Sequence, residues 1–229
     1  IWAELIPRLD RTKFRPILCC FYEPGLLGER LKESGVLVYS HLARHRGDVQ
    51  GLFRLRDLLR RERVDCLFMI NQPMAQFWGT LCGKLAKTPV LVTAIHSTGK
   101  INRIQRRRWI NRLTFPFVDR VTAVTETHKA YLTREESIPF EKIEIIPNGI
   151  EARKFLTTEG TDGLAKSLGI EDAEGIVGIV AMLRPEKAHE VCLRSAAQVL
   201  AQVPTARFLI VGEGPERPRL EALAKTLGL

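Results

Sequence analysis

The sequence predicts an α/β fold in which parallel sheets are covered by helices on both faces. Short apolar runs rich in β-branched residues recur along the 229 residues, and amphipathic stretches separate them. Apolar strands that alternate with helices are typical of parallel sheets. No apolar run approaches the roughly 20 residues that a membrane-spanning helix needs.

The first 150 residues contain six predicted strands, and we expect residues 1–150 to form one domain. Amphipathic stretches over 49–62 and 73–86 predict two of the connecting helices. The strands are predicted over 15–21, 36–40, 64–70, 89–95, 119–124 and 142–146.

A second block follows a polar, glycine-containing stretch that predicts a linker over 151–175. The block reads strand 176–183, helix 186–202, strand 206–211 and helix 215–227. Two strands are fewer than the roughly five to six of an average sheet, so residues 176–229 are expected to be the first part of a second domain. The opening "IWAELIPRLD" starts in mid-pattern and has no signal-peptide character, so we also expect the front to be missing.

The cysteines and histidines indicate neither a disulfide framework nor a metal site. Five cysteines are scattered without a C-x-x-C pair, which favours reduced thiols and a cytoplasmic chain. His41 and His45 have a ligand-like i,i+4 spacing, but no third ligand lies nearby in the sequence. We therefore expect no metal.

The basic surplus belongs to the first part of the chain. Residues 1–148 hold 25 Lys and Arg against 15 Asp and Glu, whereas residues 149–229 hold 10 against 11. This distribution indicates an anionic partner: a phosphorylated substrate, an acidic lipid surface or a nucleic acid. Charge alone supports the nucleic acid, because no nucleic-acid-binding motif is present, and we favour it least.

The most basic segment, "KINRIQRRRWINRL" at 100–113, is open to two interpretations. A basic amphipathic helix that carries a tryptophan can lie on an anionic membrane, which would make the protein peripheral on the inner face. Alternatively, the helix packs on its sheet and its charged face is solvated.

Polar residues follow the predicted strands at their carboxyl ends, where ligands bind in open parallel sheets. The pattern predicts a cleft at this edge of each domain. The candidates are Asn71, Gln72, His96, Thr125 and Glu126 in the first domain, and Arg184, Lys187 and Glu213 in the second.

The stretch "GIVAMLRPEKAHE" at 178–190 predicts a phosphate site. Pro185 suits the first position of a helix, whose N-terminus offers free N–H groups to an anion, and Lys187 adds a full charge. The alternative is that Lys187 extends into solvent. No P-loop is present, and "GEGPER" at 212–217 departs from the dinucleotide fingerprint.

Two segments resemble the family 4 (group 1) glycosyltransferases. "RVTAVTETHKAYL…IPFEKIEIIPNGIEARKF" (120–155) is similar to the end of their acceptor domain. "GIVAMLRPEKAHEVCLRSAAQVLAQVPTARFLIVGEGPERPRLEALAKTLGL" (178–229) is similar to the start of their nucleotide-sugar domain.

The resemblance implies two Rossmann-like domains of the GT-B type, the second incomplete. It implies transfer of a sugar from a nucleotide-sugar donor to a glycan, cell-envelope or lipid-linked acceptor, with retention and without a cofactor or metal. Lys187 would contact the donor diphosphate, and His96 would lie near the transferred sugar as the catalytic candidate. The residues beside the nucleotide would be Gly212, Glu213, Gly214 and Pro215.

The sequence also departs from the family pattern. Met182 stands where many members have an arginine that shares the diphosphate, and Arg184 is a candidate substitute. Ala188 replaces a usual glycine. The later acidic motif and the front glycine-rich loop are absent, so we expect the 229-residue chain to be inactive alone. A nucleotide-sugar epimerase of the same architecture and a non-catalytic anion-binding adaptor remain alternatives.

Overall fold

Parallel strands and helices alternate in the computed structural model, which describes residues 2–45, 47–70, 73–96, 110–156 and 161–229. The chain divides into two compact units, Ile1–Glu151 and Ala152–Leu229. The parallel α/β fold predicted from the sequence is confirmed.

Six strands in unit 1 form two parallel sheets. The order β1-β2 makes one sheet and β3-β4-β5-β6 makes the other. Each strand coincides with a predicted one but is shorter. Their bounds are Ile17–Cys19 (β1), Leu37–Tyr39 (β2), Cys66–Ile70 (β3), Val90–Ala94 (β4), Arg120–Ala123 (β5) and Ile143–Ile145 (β6).

The predicted amphipathic stretches 49–62 and 73–86 both form helices, and unit 1 has further helices for which no bounds were predicted. Residues 110–114 are also helical. The labelled helices are Trp2–Leu5 (α1), Gly25–Glu33 (α2), Val49–Arg61 (α3), Pro73–Ala86 (α4) and Glu126–Glu136 (α5).

Two clusters of buried side chains hold unit 1 together. One lies around the four-stranded sheet and includes Leu91, Val121 and Leu132. The other joins α3 to α4 and includes Leu58, Leu59 and Cys82. Burial of such aliphatic side chains contributes roughly 1.5–3 kcal/mol each.

Unit 2 is a smaller strand–helix arrangement. Its strands pair in parallel, and its core is built around the buried side chains Leu183, Leu193 and Leu220. The elements are Thr161–Ser167 (α6), Ile176–Val180 (β7), His189–Leu200 (α7), Arg207–Val211 (β8) and Arg217–Thr226 (α8).

Two predictions about unit 2 differ from the structure. The predicted linker 151–175 contains α6 and a 3-10 turn, Ala152–Phe155, because its polar composition hid short helical segments. The helix predicted over 186–202 begins later, at His189, because Ala188 has a left-handed backbone with φ 53° that interrupts the helix. No helix in the described ranges is long and apolar enough to cross a membrane.

Candidate functional site

The loops that follow β7 and β8 are joined by backbone hydrogen bonds, and we call residues 181–187 and 212–216 together the platform. Ala181 N donates to Val211 O at 3.0 Å, and Leu183 N donates to Glu213 O at 2.9 Å. Glu216 N in turn donates to Leu183 O at 3.1 Å. The "MLRPEK" and "GEGP" segments therefore lie side by side at the carboxyl edge of the sheet.

Glycine is required where these two loops touch. At Gly212, whose φ is +155°, a Cβ atom would lie 2.0 Å from Ala181 O. At Gly214, a Cβ atom would lie 2.4 Å from Leu183 O. Both distances are far inside van der Waals contact, so only glycine lets the loops approach this closely.

Lys187 lies in a 3-10 turn, Pro185–Lys187, and not in the first turn of α7. The sequence-based expectation of a lysine at a helix N-terminus is therefore wrong about the element. Ala188 separates the turn from α7 with φ 53° and ψ 34°. The resemblance implies glycine at this position, and glycine adopts a left-handed backbone without steric cost.

The cations in and beside this turn form no ion pair with the described residues. Arg184 and Lys187 are exposed, and neither forms an ion pair with any residue that the structure describes. By contrast, Glu213 pairs with Arg217. Met182 is 52% exposed, and its thioether side chain has no hydrogen-bond donor. Two uncommitted positive charges thus project from the platform.

A cavity of about 280 Å³ lies beside this turn, between α7 and α8. Arg184, Pro185 and Ala188 line it together with residues of both helices. Glu190 on its wall is held by Arg194 at 3.0 Å and by Arg219 at 2.8 Å. These charge-assisted bonds lower the pKa of Glu190, the bond from Arg194 first. The Glu190 carboxylate is therefore engaged in ion pairs within α7 and between α7 and α8.

In unit 1, His96 and Thr125 with Glu126 lie at the same edge of the four-stranded sheet. β4 pairs with β5, and Ile95 N donates to Thr122 O at 3.1 Å beside them. His96 is half-buried, and burial lowers the pKa of its imidazole. Thr125 Oγ1 accepts from His128 N at 3.1 Å and so caps α5.

Several sequence-based candidates lie outside the described residues. Asn71 and Gln72 are among them, as is most of the basic segment 100–113, of which only residues 110–113 are described. The position of Asn71 and Gln72 after β3, the neighbour of β4, remains a prediction of the sequence.

The sequence analysis missed a cavity of about 390 Å³ in unit 1. Tyr22, Glu23, His41 and Arg44 line it, in the loops that follow β1 and β2. The same rule that found His96, a polar residue after a strand, could have found them. His41 has φ 56°, so it is not helical and the i,i+4 ligand spacing with His45 does not apply. Within the described ranges no three His, Cys, Asp or Glu side chains are placed to share a metal ion.

Comparison with known families agrees with these features. Residues 1–154 match the family model "Glycosyltransferase Family 4", and residues 161–229 match "Glycosyl transferases group 1". The first match alone spans more than half of the chain. The chain therefore belongs to glycosyltransferase family 4, as its motifs indicated.

Individual relatives match parts of the chain. It is 29% identical over 115 residues to a D-inositol 3-phosphate glycosyltransferase of Segniliparus rotundus, covering 48% of this chain and 25% of the relative. It is 24% identical over 175 residues to a UDP-Gal:alpha-D-GlcNAc-diphosphoundecaprenol alpha-1,3-galactosyltransferase of Escherichia coli. This match covers 73% of this chain and 45% of the relative. The chain thus spans between a quarter and a half of these relatives.

Solved structures show the same fold. The structure of Anabaena Alr3699/HepE in complex with UDP-glucose superposes on this chain with a TM-score of 0.81 at 18% sequence identity. The match covers 99% of this chain and 63% of the Alr3699/HepE chain. UDP-GlcNAc 2-epimerase from Neisseria meningitidis matches 98% and 66% with a TM-score of 0.62, also at 18% identity. The prediction of Rossmann-like α/β units of the GT-B type is confirmed.

Proposed function

We propose that the protein is a glycosyltransferase that uses a nucleotide-sugar donor. The family match over both units carries the proposal, and the exposed cations Lys187 and Arg184, which pair with no described carboxylate, support it. In the reaction, the bond from the anomeric carbon to the diphosphate breaks and a bond to an acceptor hydroxyl forms. The hydroxyl proton is released, and the nucleoside diphosphate leaves with the bonding electrons.

The proposed role of the turn Pro185–Lys187 is to bind the diphosphate. Charge develops on this group as the sugar departs, and a fixed cation that faces the developing charge stabilises the transition state. Because the Met182 side chain has neither a charge nor a donor, Lys187 and Arg184 would supply the positive charge in unit 2 without a metal or other cofactor. The platform residues 212–215 would lie beside the nucleotide.

His96 is proposed to lie near the transferred sugar, with Thr125 and Glu126 at the same sheet edge. Burial lowers the pKa of His96, so the imidazole is neutral at pH 7 and can donate or accept a hydrogen bond to a sugar hydroxyl. We propose retention of configuration, and an acceptor that is a glycan or a lipid-linked glycan. Relatives named for a diphosphoundecaprenol acceptor and for diacylglycerol support that acceptor class.

Replacing Lys187 by Ala is expected to weaken donor binding at least about tenfold, because one full charge on the diphosphate is lost. Calorimetric titration with a panel of UDP- and GDP-sugars measures the donor affinity. The titration is done in buffer with EDTA, which tests whether binding is independent of metal. Lys225→Ala, on α8, is the matched control. Donor binding that is unchanged in Lys187→Ala would contradict this role.

A nucleotide-sugar epimerase is the second candidate function, because the UDP-GlcNAc 2-epimerase from Neisseria meningitidis has a similar fold. Product analysis separates the two activities. A glycosyltransferase releases nucleoside diphosphate only as sugar appears on an acceptor, whereas an epimerase returns a nucleotide-sugar of inverted configuration. Because the 229-residue chain is expected to be inactive alone, the assay is run on the full-length protein, for which donor binding without either product would indicate an adaptor.

A further inference from the structure

Three aromatic side chains from different elements of unit 1 pack together near the carboxyl edge of the four-stranded sheet. The ring centroid of Trp2 on α1 lies 4.8 Å from that of Phe68 on β3. The same indole lies 6.0 Å from the imidazole of His96, which follows β4, at an interplanar angle of 59°. Both distances are typical of favourable aromatic contacts. Trp2 therefore connects β3 to the residue proposed to lie near the transferred sugar.

Side-chain contacts fix the short helix α1, which carries Trp2. Arg8 Nη1 donates to Glu4 O at 2.9 Å and to the Glu4 carboxylate at 3.0 Å. Arg8 Nη2 donates to the carboxylate of Glu151 at 2.6 Å, where unit 1 ends. Four residues are too few for a helix to be stable by itself, so these bonds and the packing of Trp2 hold α1 in place. The indole thus has a defined position beside His96.

The imidazole of His96 is half-buried, and Trp2 is one of the groups that cover it. Burial lowers the pKa of His96 below its usual value of 6.5. A neutral imidazole has one donor and one acceptor nitrogen, so the orientation of the ring decides which of them faces a sugar hydroxyl. An aromatic ring packed against the imidazole restricts both its orientation and its access to water.

We infer that Trp2 is a positioning residue for His96. Its indole ring excludes water from one side of the imidazole and holds it in a single orientation toward the transferred sugar. The inference rests on the role proposed for His96, and it assigns no contact with the sugar to Trp2 itself. Misplacing a group by about 1 Å can reduce a rate about a hundredfold. Loss of the indole should therefore slow transfer but leave donor binding, because the proposed diphosphate contacts lie in unit 2.

Proton NMR of the 229-residue chain tests the contact without any transfer reaction. The pKa of His96 is read from the pH dependence of its imidazole protons, and His96→Gln identifies the signal. We expect Trp2→Leu to raise this pKa toward 6.5, because water regains access to the imidazole. Trp2→Phe should keep most of the lowering, since an aromatic ring remains. The matched control is Trp78→Leu, because Trp78 is half-buried in unit 1 and pairs with Phe77 at 4.9 Å.

A double-mutant cycle in the full-length protein tests the effect on transfer. Trp2→Leu is expected to lower kcat about tenfold and to change donor affinity by less than about twofold. Trp2→Phe should restore most of kcat, and Trp78→Leu should leave it unchanged. In a His96→Gln background, Trp2→Leu should have little further effect, because a residue that acts through His96 has nothing left to position.

Two results would overturn the inference. One is an unchanged His96 pKa in a Trp2→Leu variant that circular dichroism shows to be folded. The other is an equal loss of kcat from Trp2→Leu in the wild-type and His96→Gln backgrounds, which is expected if Trp2 only packs the core. Trp2→Met, a flexible apolar replacement, takes the place of Trp2→Leu if the latter does not fold. A shifted pKa in a protein that transfers no sugar would refute the proposed function while supporting the control of the imidazole by Trp2.

Discussion

Ala188 has a left-handed backbone that its residue type does not favour. A left-handed conformation costs an L-residue other than glycine roughly 1–2 kcal/mol. Ala188 nevertheless adopts φ 53°, because the 3-10 turn before it and α7 after it fix its place. The strain lies directly beside Lys187, in the turn proposed to bind the diphosphate.

Ala188→Gly is expected to stabilise the protein by about 1 kcal/mol, because glycine adopts this backbone without steric cost. Thermal unfolding followed by circular dichroism measures the change. Ala197→Gly, the same substitution inside α7, should instead destabilise by about 0.5–1 kcal/mol. If both variants lose stability, the left-handed strain at position 188 is not significant.

At the scale of elements, Glu62 ties together three parts of unit 1 at the end of α3. Tyr39 Oη of β2 donates to its carboxylate at 2.8 Å, and Arg15, just before β1, donates at 3.1 Å. Arg61 pairs with it at 3.2 Å. These donors hold the pKa of Glu62 below its usual value of 4.5, the bond from Tyr39 contributing most.

The lowered pKa predicts how stability depends on pH. The unfolded chain binds a proton at Glu62 more readily than the folded chain, so this contribution is present above pH 4.5 and is lost as the pH falls through the folded pKa. Glu62→Gln should lower the urea midpoint at pH 7 and flatten its acid dependence. Glu144→Gln, which removes an exposed carboxylate of β6, is the control. A midpoint that falls equally with acid in Glu62→Gln and wild type would contradict the assignment.

For the whole molecule, the two units differ in how much apolar surface they bury. Unit 1 has two clusters of buried side chains, whereas the core of unit 2 has Leu183, Leu193 and Leu220 as its buried members. On β7 of unit 2, Val177 is half exposed and Val180 is 80% exposed. We therefore expect unit 2 to unfold first in denaturant.

Tryptophan fluorescence distinguishes the two units, because Trp2, Trp78 and Trp109 all belong to unit 1. Far-ultraviolet circular dichroism reports helices in both. We expect the circular dichroism signal to begin falling at a lower urea concentration than the fluorescence. Coincident curves would show a single cooperative transition and contradict independent unfolding.

The sequence by itself determined the type and order of the elements. The eight strands found among the described residues all lie within predicted runs, because strands of parallel sheets are continuous apolar segments that a single sequence displays. The family motifs "PEK" and "GEGP" were also visible, since each is a local stretch. The short helix α6 was missed because its polar composition resembles that of a linker.

Only the tertiary structure decided where helix α7 begins and which charged side chains form ion pairs. Ala188 adopts its left-handed backbone through its surroundings, and alanine otherwise favours helix. Glu213 and Glu190 are paired, whereas Lys187 and Arg184 have no ion-pair partner in the described part of the chain. The close approach of Gly212 to Ala181 O joins residues about thirty positions apart. Such contacts depend on how distant segments pack, and no local pattern of residue types encodes them.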